Sequence, residues 1–307
     1  MIGHQTVGRA RVAMSEMVVT RSEQLRQEAL SLVRAGDLEK ALEVYDAAMA
    51  ETDDEEFREL ITINKADTLI ALERGGPEVQ ALPTILMRRR NPRHTFWASY
   101  ALLYKCRIGR ETKRAIFYGH IAHETAAEAQ ETFWLIAALN ELGQVYDLDS
   151  KFPEAINYFE EALSQIDKVS DQVDQSFARV AILQNLGYNK LMIGETVEGV
   201  RMIEAVLDSV ESASAKSESL IDLCYGYLDL EEYEKARRYG QEGLALATDS
   251  RQVRNAHYLL GEAAYKMHDE DAAECHFEEL ARFYPQFRSL KTLLFTLDLR
   301  SMINLKL

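Results

Sequence analysis

Pairs of small residues twelve positions apart recur along this chain, and they leave few folds open. The pairs are Ala29 with Ala41, Gly143 with Ala155, Gly187 with Gly199, Cys224 with Ala236 and Gly261 with Ala273, joined by the compact pair Leu103 and Ala115. Around Gly143, residues Leu139, Leu142 and Tyr146 share one helix face at i, i+3, i+4 and i+7 spacing, and Ala155, Phe159 and Ala162 do the same on a second. A small residue on each helix lets the two approach closely while Tyr146 and Phe159 fill the space beside them. A unit of this kind builds its core by stacking on further copies, so the core grows linearly with length.

The first members of the pairs step by 40, 44, 37 and 37 residues from Leu103 onward, and the gap of 74 before it holds one degenerate unit. Seven units follow, near 22–55, 56–91, 96–130, 136–175, 180–214, 217–250 and 254–287. The second begins with Ile63, Ala66 and Leu69 and then meets Gly75–Gly76–Pro77 and Pro83. Because an interior proline costs a helix about 3 kcal/mol, its second helix is expected to be short, kinked or displaced between about residues 83 and 90. Residues 1–20 read as a tail, with Met14 or Met17 as alternative starts. The segment 288–307 reads as an extra helix whose Leu290, Leu293, Leu294, Phe295, Leu297, Leu299, Met302 and Ile303 cover more than one face. It either packs on the end of the array as a cap or joins a second chain in a homodimer.

Fifty acidic residues against thirty-five basic ones give a net charge of −15. That balance argues against nonspecific binding to nucleic acid or an anionic membrane. Cys106, Cys224 and Cys275 show neither disulfide nor zinc-ribbon spacing. No apolar run is long enough for a bilayer span, and the first twenty residues lack a secretory core, so a cytoplasmic location is expected.

The order of residue types in 136–169 and 254–287, with Pro285 near the end of the latter, resembles the tetratricopeptide repeat (TPR), a unit of 34 residues. Steps of 37–44 are similar to the long-repeat branch found in bacterial regulatory proteins and quorum-sensing peptide receptors. The resemblance implies an all-α, right-handed superhelix of about seven helix pairs with a C-terminal capping helix. It also implies that positions 2, 5, 9, 12 and 13 of each first helix line a concave groove. On that stripe stand Trp97, Tyr100, Tyr104, Arg107, Asn140, Gln144, Gln184, Tyr188, Tyr225, Tyr258 and Tyr265, which include six of the fourteen tyrosines. Aromatic side chains give contact area at low entropic cost; they would equally pack between neighbouring helices.

Asn140, Gln144, Gln184, Asn185 and Asn189 place amides mid-array, where a donor and an acceptor on one side chain can hold a peptide backbone. The carboxylate clamp of chaperone-binding relatives is missing, since Arg26 and Leu30 occupy its positions in the first unit. Between Leu86 and Arg114 the charge reverses through Arg88, Arg89, Arg90, Arg93, Lys105, Arg107, Arg110, Lys113 and Arg114. This belt, with Arg107 on the stripe, would hold an acidic group of a partner, or would neutralise the acidic run at 51–56. His120, His123 and Glu124 lack the spacing of a metal site, and His268 and His276 flank an acidic turn. No glycine-rich phosphate loop occurs. The sequence therefore predicts a non-catalytic scaffold, without cofactor or metal, that binds a protein or peptide. Two alternatives stay open: a domain sensing a ligand or signal peptide and acting on a partner protein, and a homodimer formed through 288–307.

Overall fold

The computed structural model describes residues 20–285, 295, 300 and 303–307. Among them are fourteen α-helices and no strand. They form seven consecutive pairs: α1 Arg21–Ala35 with α2 Leu38–Ala50, α3 Glu55–Ala71 with α4 Pro77–Arg88, α5 Pro92–Ile108 with α6 Thr112–Ala129, α7 Thr132–Leu148 with α8 Phe152–Gln165, α9 Gln172–Met192 with α10 Thr196–Val206, α11 Ala213–Asp229 with α12 Tyr233–Leu246, and α13 Ser250–Lys266 with α14 Glu270–Phe283. The repeat exceeds 34 residues because its helices are long. α9 has 21 residues and α6 has 18.

Short polar side chains start most first helices. Thr20, Asp54, Asn91, Asp171, Ser212 and Asp249 each accept a hydrogen bond from a backbone N–H of the first turn, which satisfies donors that have no partner within the helix. Left-handed residues stop them. Gly36, Glu73, Arg110, Ser150, Gly194, Glu231 and His268 follow the seven first helices in turn, all at φ between 55° and 85°. Only two are glycine, so the punctuation is regular in the backbone and scarcely visible in the sequence.

The chain divides into two compact units, Met1–Ala81 and Leu82–Leu307. In the first, Leu25, Ala29, Ala41, Tyr45, Ala48 and Ile61 form the core of α1–α3. Arg26, at the would-be clamp position, is buried and bonded to Glu23 and Asn64. The structure corrects the expectation for the second unit of the array: α4 begins at Pro77 and runs without interruption through Pro83. A proline at the first helical position gives up no helical hydrogen bond. Val79, Leu82, Ile85 and Leu86 are all buried, and this apolar stripe offsets the single bond that Pro83 removes.

In the second unit the first helices α5, α7, α9, α11 and α13 lie side by side, and α6, α8, α10 and α12 each pack between their own partner and the next first helix. The small-residue pairs are where helices touch. A Cβ on Gly199 would stand 2.6 Å from the carbonyl oxygen of Gly187, and one on Gly143 would stand 2.5 Å from the Phe159 ring. The described C-terminal residues fold back onto the same unit. Phe295 is buried against Gly261, Tyr258 and Phe277, and Leu305 is 2% exposed. Residues 1–19, and Leu290, Leu293, Leu294, Leu297, Leu299 and Met302, lie outside the described residues.

Candidate functional site

The row of first helices in the second unit carries the stripe expected from the sequence, and the structure divides it into two regions. At one end, Trp97 and Tyr100 join Phe96 and Trp134 in an aromatic cluster, with the Phe96 and Trp134 rings stacked at 4.9 Å. Trp97, Trp134 and Pro92 line an open recess of about 500 Å³. Tyr104 lies beneath the guanidinium of Arg107, 5.0 Å from its ring centre. Arg107 itself is paired with Glu141 at 2.7 Å, both largely buried. Its charge is therefore matched within the chain.

Two of the amide bonds, from Asn185 and Gln184, connect neighbouring first helices, and those of Gln144 and Asn189 stay within their own helix. Asn185 donates to Asn140 at 3.0 Å, Gln144 donates to Glu141 at 3.3 Å, and Gln184 donates to the Ser219 hydroxyl at 2.5 Å. Asn189, fully buried, donates to the Asn185 carbonyl at 2.9 Å.

Further along, α7, α9, α11 and α13 converge on an acidic socket that the sequence reading passes over. Asp147, Glu218 and Asp222 surround the ammonium of Lys306, which is 2.7 Å from Glu218 Oε1 and 2.9 Å from Asp222 Oδ2. Glu262 and Asp229 hold Arg300 at 2.9 and 3.3 Å, over the Tyr225 ring. Of the expected stripe residues, Tyr188 and Tyr225 belong to this socket, Tyr258 packs against Phe295, and Tyr265 is 42% exposed.

A short stretch of main chain lies across the socket, gripped by side chains. Tyr188 Oη donates to Asn304 Oδ1 at 2.9 Å and accepts the N–H of Leu305 at 3.0 Å. The Leu305 carbonyl accepts from Asn255 at 2.6 Å and from Arg251 at 3.0 Å. Asn304 donates to the Asp147 carbonyl at 2.8 Å and to the Ser150 hydroxyl at 3.1 Å.

Burial and charge act against each other here. Burial pushes the Asp147 carboxyl up to about 7 despite Lys306 nearby, and the Asp222 carboxyl up to about 6. Burial would depress the Lys306 ammonium, but Asp222, Glu218 and Asp147 together hold it above its ordinary value. Burial would likewise raise Glu218, and Lys306 and Arg251 hold it below the usual carboxylate range. Asp222 Oδ1 and Arg300 Nε are buried with no hydrogen-bond partner.

The missed carboxylates had a signal. Glu218, Glu262, Asp147 and Asp229 fall at positions 2, 9, 12 and 13 of their units, on the same stripe from which only aromatic, amide and cationic residues were read. Asp222, at position 6, lies off that stripe.

No family model and no curated protein matches the sequence. Among solved structures the chain is similar to the apo form of RapI, at TM-score 0.64 and 14% identity over 92% of this chain and 85% of that one. It is similar to the apo form of the quorum sensor NprR from B. thuringiensis, at TM-score 0.65 and 16% identity over 91% and 81% of the two chains. A Rap protein complexed with Competence and Sporulation Factor gives TM-score 0.64 and 15% identity over 91% and 79%. Seven consecutive helix pairs together with these similarities identify the chain as having the tetratricopeptide-repeat fold.

Proposed function

We propose that this protein is a non-catalytic module that binds a peptide or an extended protein segment along the row formed by α5, α7, α9, α11 and α13. One observation carries the reading: the main chain of Leu305 is held at both its N–H and its C=O by side chains of two different first helices, Tyr188 of α9 and Arg251 and Asn255 of α13. Side chains that satisfy a main chain in this way can hold a foreign segment irrespective of much of its sequence. Trp97, Tyr100 and Tyr104 would add aromatic contacts, and Asn140, Gln144 and Gln184 would add amide contacts. Arg107, already paired with Glu141, would meet an acidic group of the ligand only by exchanging that partner.

A second reading, a signal-peptide sensor acting on a partner protein, draws support from the similar structures, since NprR is a quorum sensor and the Rap protein is complexed with Competence and Sporulation Factor. The two readings share one test. A partner retained by the native chain should be lost from a Trp97→Ala, Tyr104→Ala, Asn140→Ala variant that keeps its helical circular dichroism. Equal retention by both would remove the stripe from consideration. Hot-spot aromatic residues are typically worth on the order of 2 kcal/mol each, so the expected loss is large.

A further inference from the structure

The socket holds five carboxylates, from Asp147, Glu218, Asp222, Asp229 and Glu262, and among the described residues three cations face them. Arg251 comes from α13 and bonds Glu218 at 3.4 Å. The other two, Arg300 and Lys306, come from the C-terminal segment. Three of the acids, Asp147, Asp222 and Glu262, are buried; without that segment Asp222 and Glu262 would lose the cations bonded to them, Lys306 and Arg300, and buried charge without a counter-charge is strongly unfavourable. The socket therefore demands a cationic occupant.

The occupant it has is an imperfect one. Asp222 Oδ1 is a buried acceptor that receives no hydrogen bond, although its residue is 4% exposed. A buried acceptor left unsatisfied costs about 1–3 kcal/mol in general. The segment supplies one ammonium where several acceptors converge. A ligand offering more donors at the same place would gain what the segment forgoes.

We propose that Arg300 and residues 303–306 of the C-terminal segment act as a built-in ligand of the socket, and that the segment they compete with is a basic peptide carrying a Lys or Arg directly after an apolar residue. The sequence Asn304–Leu305–Lys306 states the chemistry recognised. The asparagine amide reaches the α7 terminus, the leucine side chain is buried, and the cation enters the acids. The charge of the partner is thus opposite to that expected from the basic belt. This inference rests on the peptide-binding reading but concerns a different end of the row.

The test uses the full chain and a fluorophore-labelled peptide of residues 300–307. Hydrogen exchange on the native chain should find the amides of 303–307 slowed by about tenfold or more relative to the free peptide. A Lys306→Glu chain should bind the labelled peptide about tenfold or more tightly than the native chain, because the competing state is removed. The same peptide with its lysine changed to glutamate should bind neither chain. Unprotected amides at 303–307 would overturn the docking. Protected amides with equally weak peptide binding by both chains would overturn the competition and leave the segment a structural cap. If the Lys306→Glu chain does not fold, excess peptide on the native chain must speed exchange at 303–307, and no change overturns the proposal. Loss of partner binding in the Trp97, Tyr104, Asn140 variant alongside such a failure would keep the peptide-binding reading while removing this one.

Discussion

The phenol of Tyr188 donates to Oδ1 of Asn304, 116 residues further along the chain, at 2.9 Å. The same oxygen accepts the Leu305 N–H, so one buried hydroxyl fixes both a side chain and the backbone of the returning segment. Tyr188→Phe keeps the ring under Lys306 and removes both bonds. Two buried groups lose a partner, and a loss of about 1–3 kcal/mol is expected. Urea unfolding would measure it, and an unchanged midpoint would mean that the segment does not contribute to the fold.

Asp147 gives the socket a pH dependence. Its carboxyl titrates near 7 in the folded chain, against 3.8 for the ordinary group, so the folded state binds the proton more tightly than the unfolded state does. Stability from this group is fully present below the unfolded value and is lost as pH rises through about 7. Lys306 opposes that loss, while Asp222 and Glu218 add to it. Asp147→Asn should therefore raise stability at pH 8 by on the order of 1 kcal/mol or more and change it little at pH 4. Thermal unfolding at the two pH values would decide; stabilisation confined to pH 4 would contradict the sign.

How much of this was legible in the sequence depends on whether the signal was local. The twelve-residue pairing of Gly187 with Gly199 reads directly, because close helix contact demands small residues wherever it occurs. The helix stops did not read, because Glu73, Arg110, Ser150, Glu231 and His268 adopt left-handed geometry without being glycine. α4 was misjudged because a proline rule considers one hydrogen bond and not the buried stripe around it. Tyr188 stands at a stripe position that the repeat spacing gives directly. Its partner is not given so, since nothing near Asn304 in sequence points to a contact 116 residues away. The same holds for Arg107, expected on the stripe as a partner for an acidic group: its ion pair with Glu141, on the neighbouring first helix, leaves no local signal.

The Arg107–Glu141 pair allows a cycle. Arg107→Met would leave Glu141, 6% exposed, with only Gln144 as a recorded partner. Breaking one side of a buried pair typically costs about 3–5 kcal/mol. Arg107→Met with Glu141→Gln should recover much of that, because no charge then remains buried. Chemical denaturation of the two single variants and the double variant would give the coupling. Additive losses would mean that the pair is solvated in solution.

The left-handed stops make an opposite prediction, of stabilisation. Glu231 at φ 59° and His268 at φ 60° follow α11 and α13 in conformations that cost a residue with a Cβ about 1–2 kcal/mol. Glycine adopts them freely but loses more entropy on folding, so the net gain is expected near 0.5–1 kcal/mol at each site. Glu231→Gly and His268→Gly should each raise the unfolding midpoint, and together they should add, because the two turns belong to different repeats.

Gly199 tests the backbone approach of α10 to α9. Its missing Cβ would stand 2.6 Å from a carbonyl oxygen of the opposing helix, whereas at Gly243 the nearest atom is a side-chain carbon of Ile221 at 3.0 Å. A side chain can rotate away, but a backbone carbonyl moves only with its helix. Gly199→Ala should therefore cost at least the 1–3 kcal/mol usual for an overpacked core, and Gly243→Ala distinctly less. Because α9 and α10 carry Tyr188 and the turn beside it, the first substitution should also loosen the C-terminal segment, read as faster amide exchange at 303–307. Equal costs at the two glycines would mean that α9 and α10 are further apart in solution than this geometry requires.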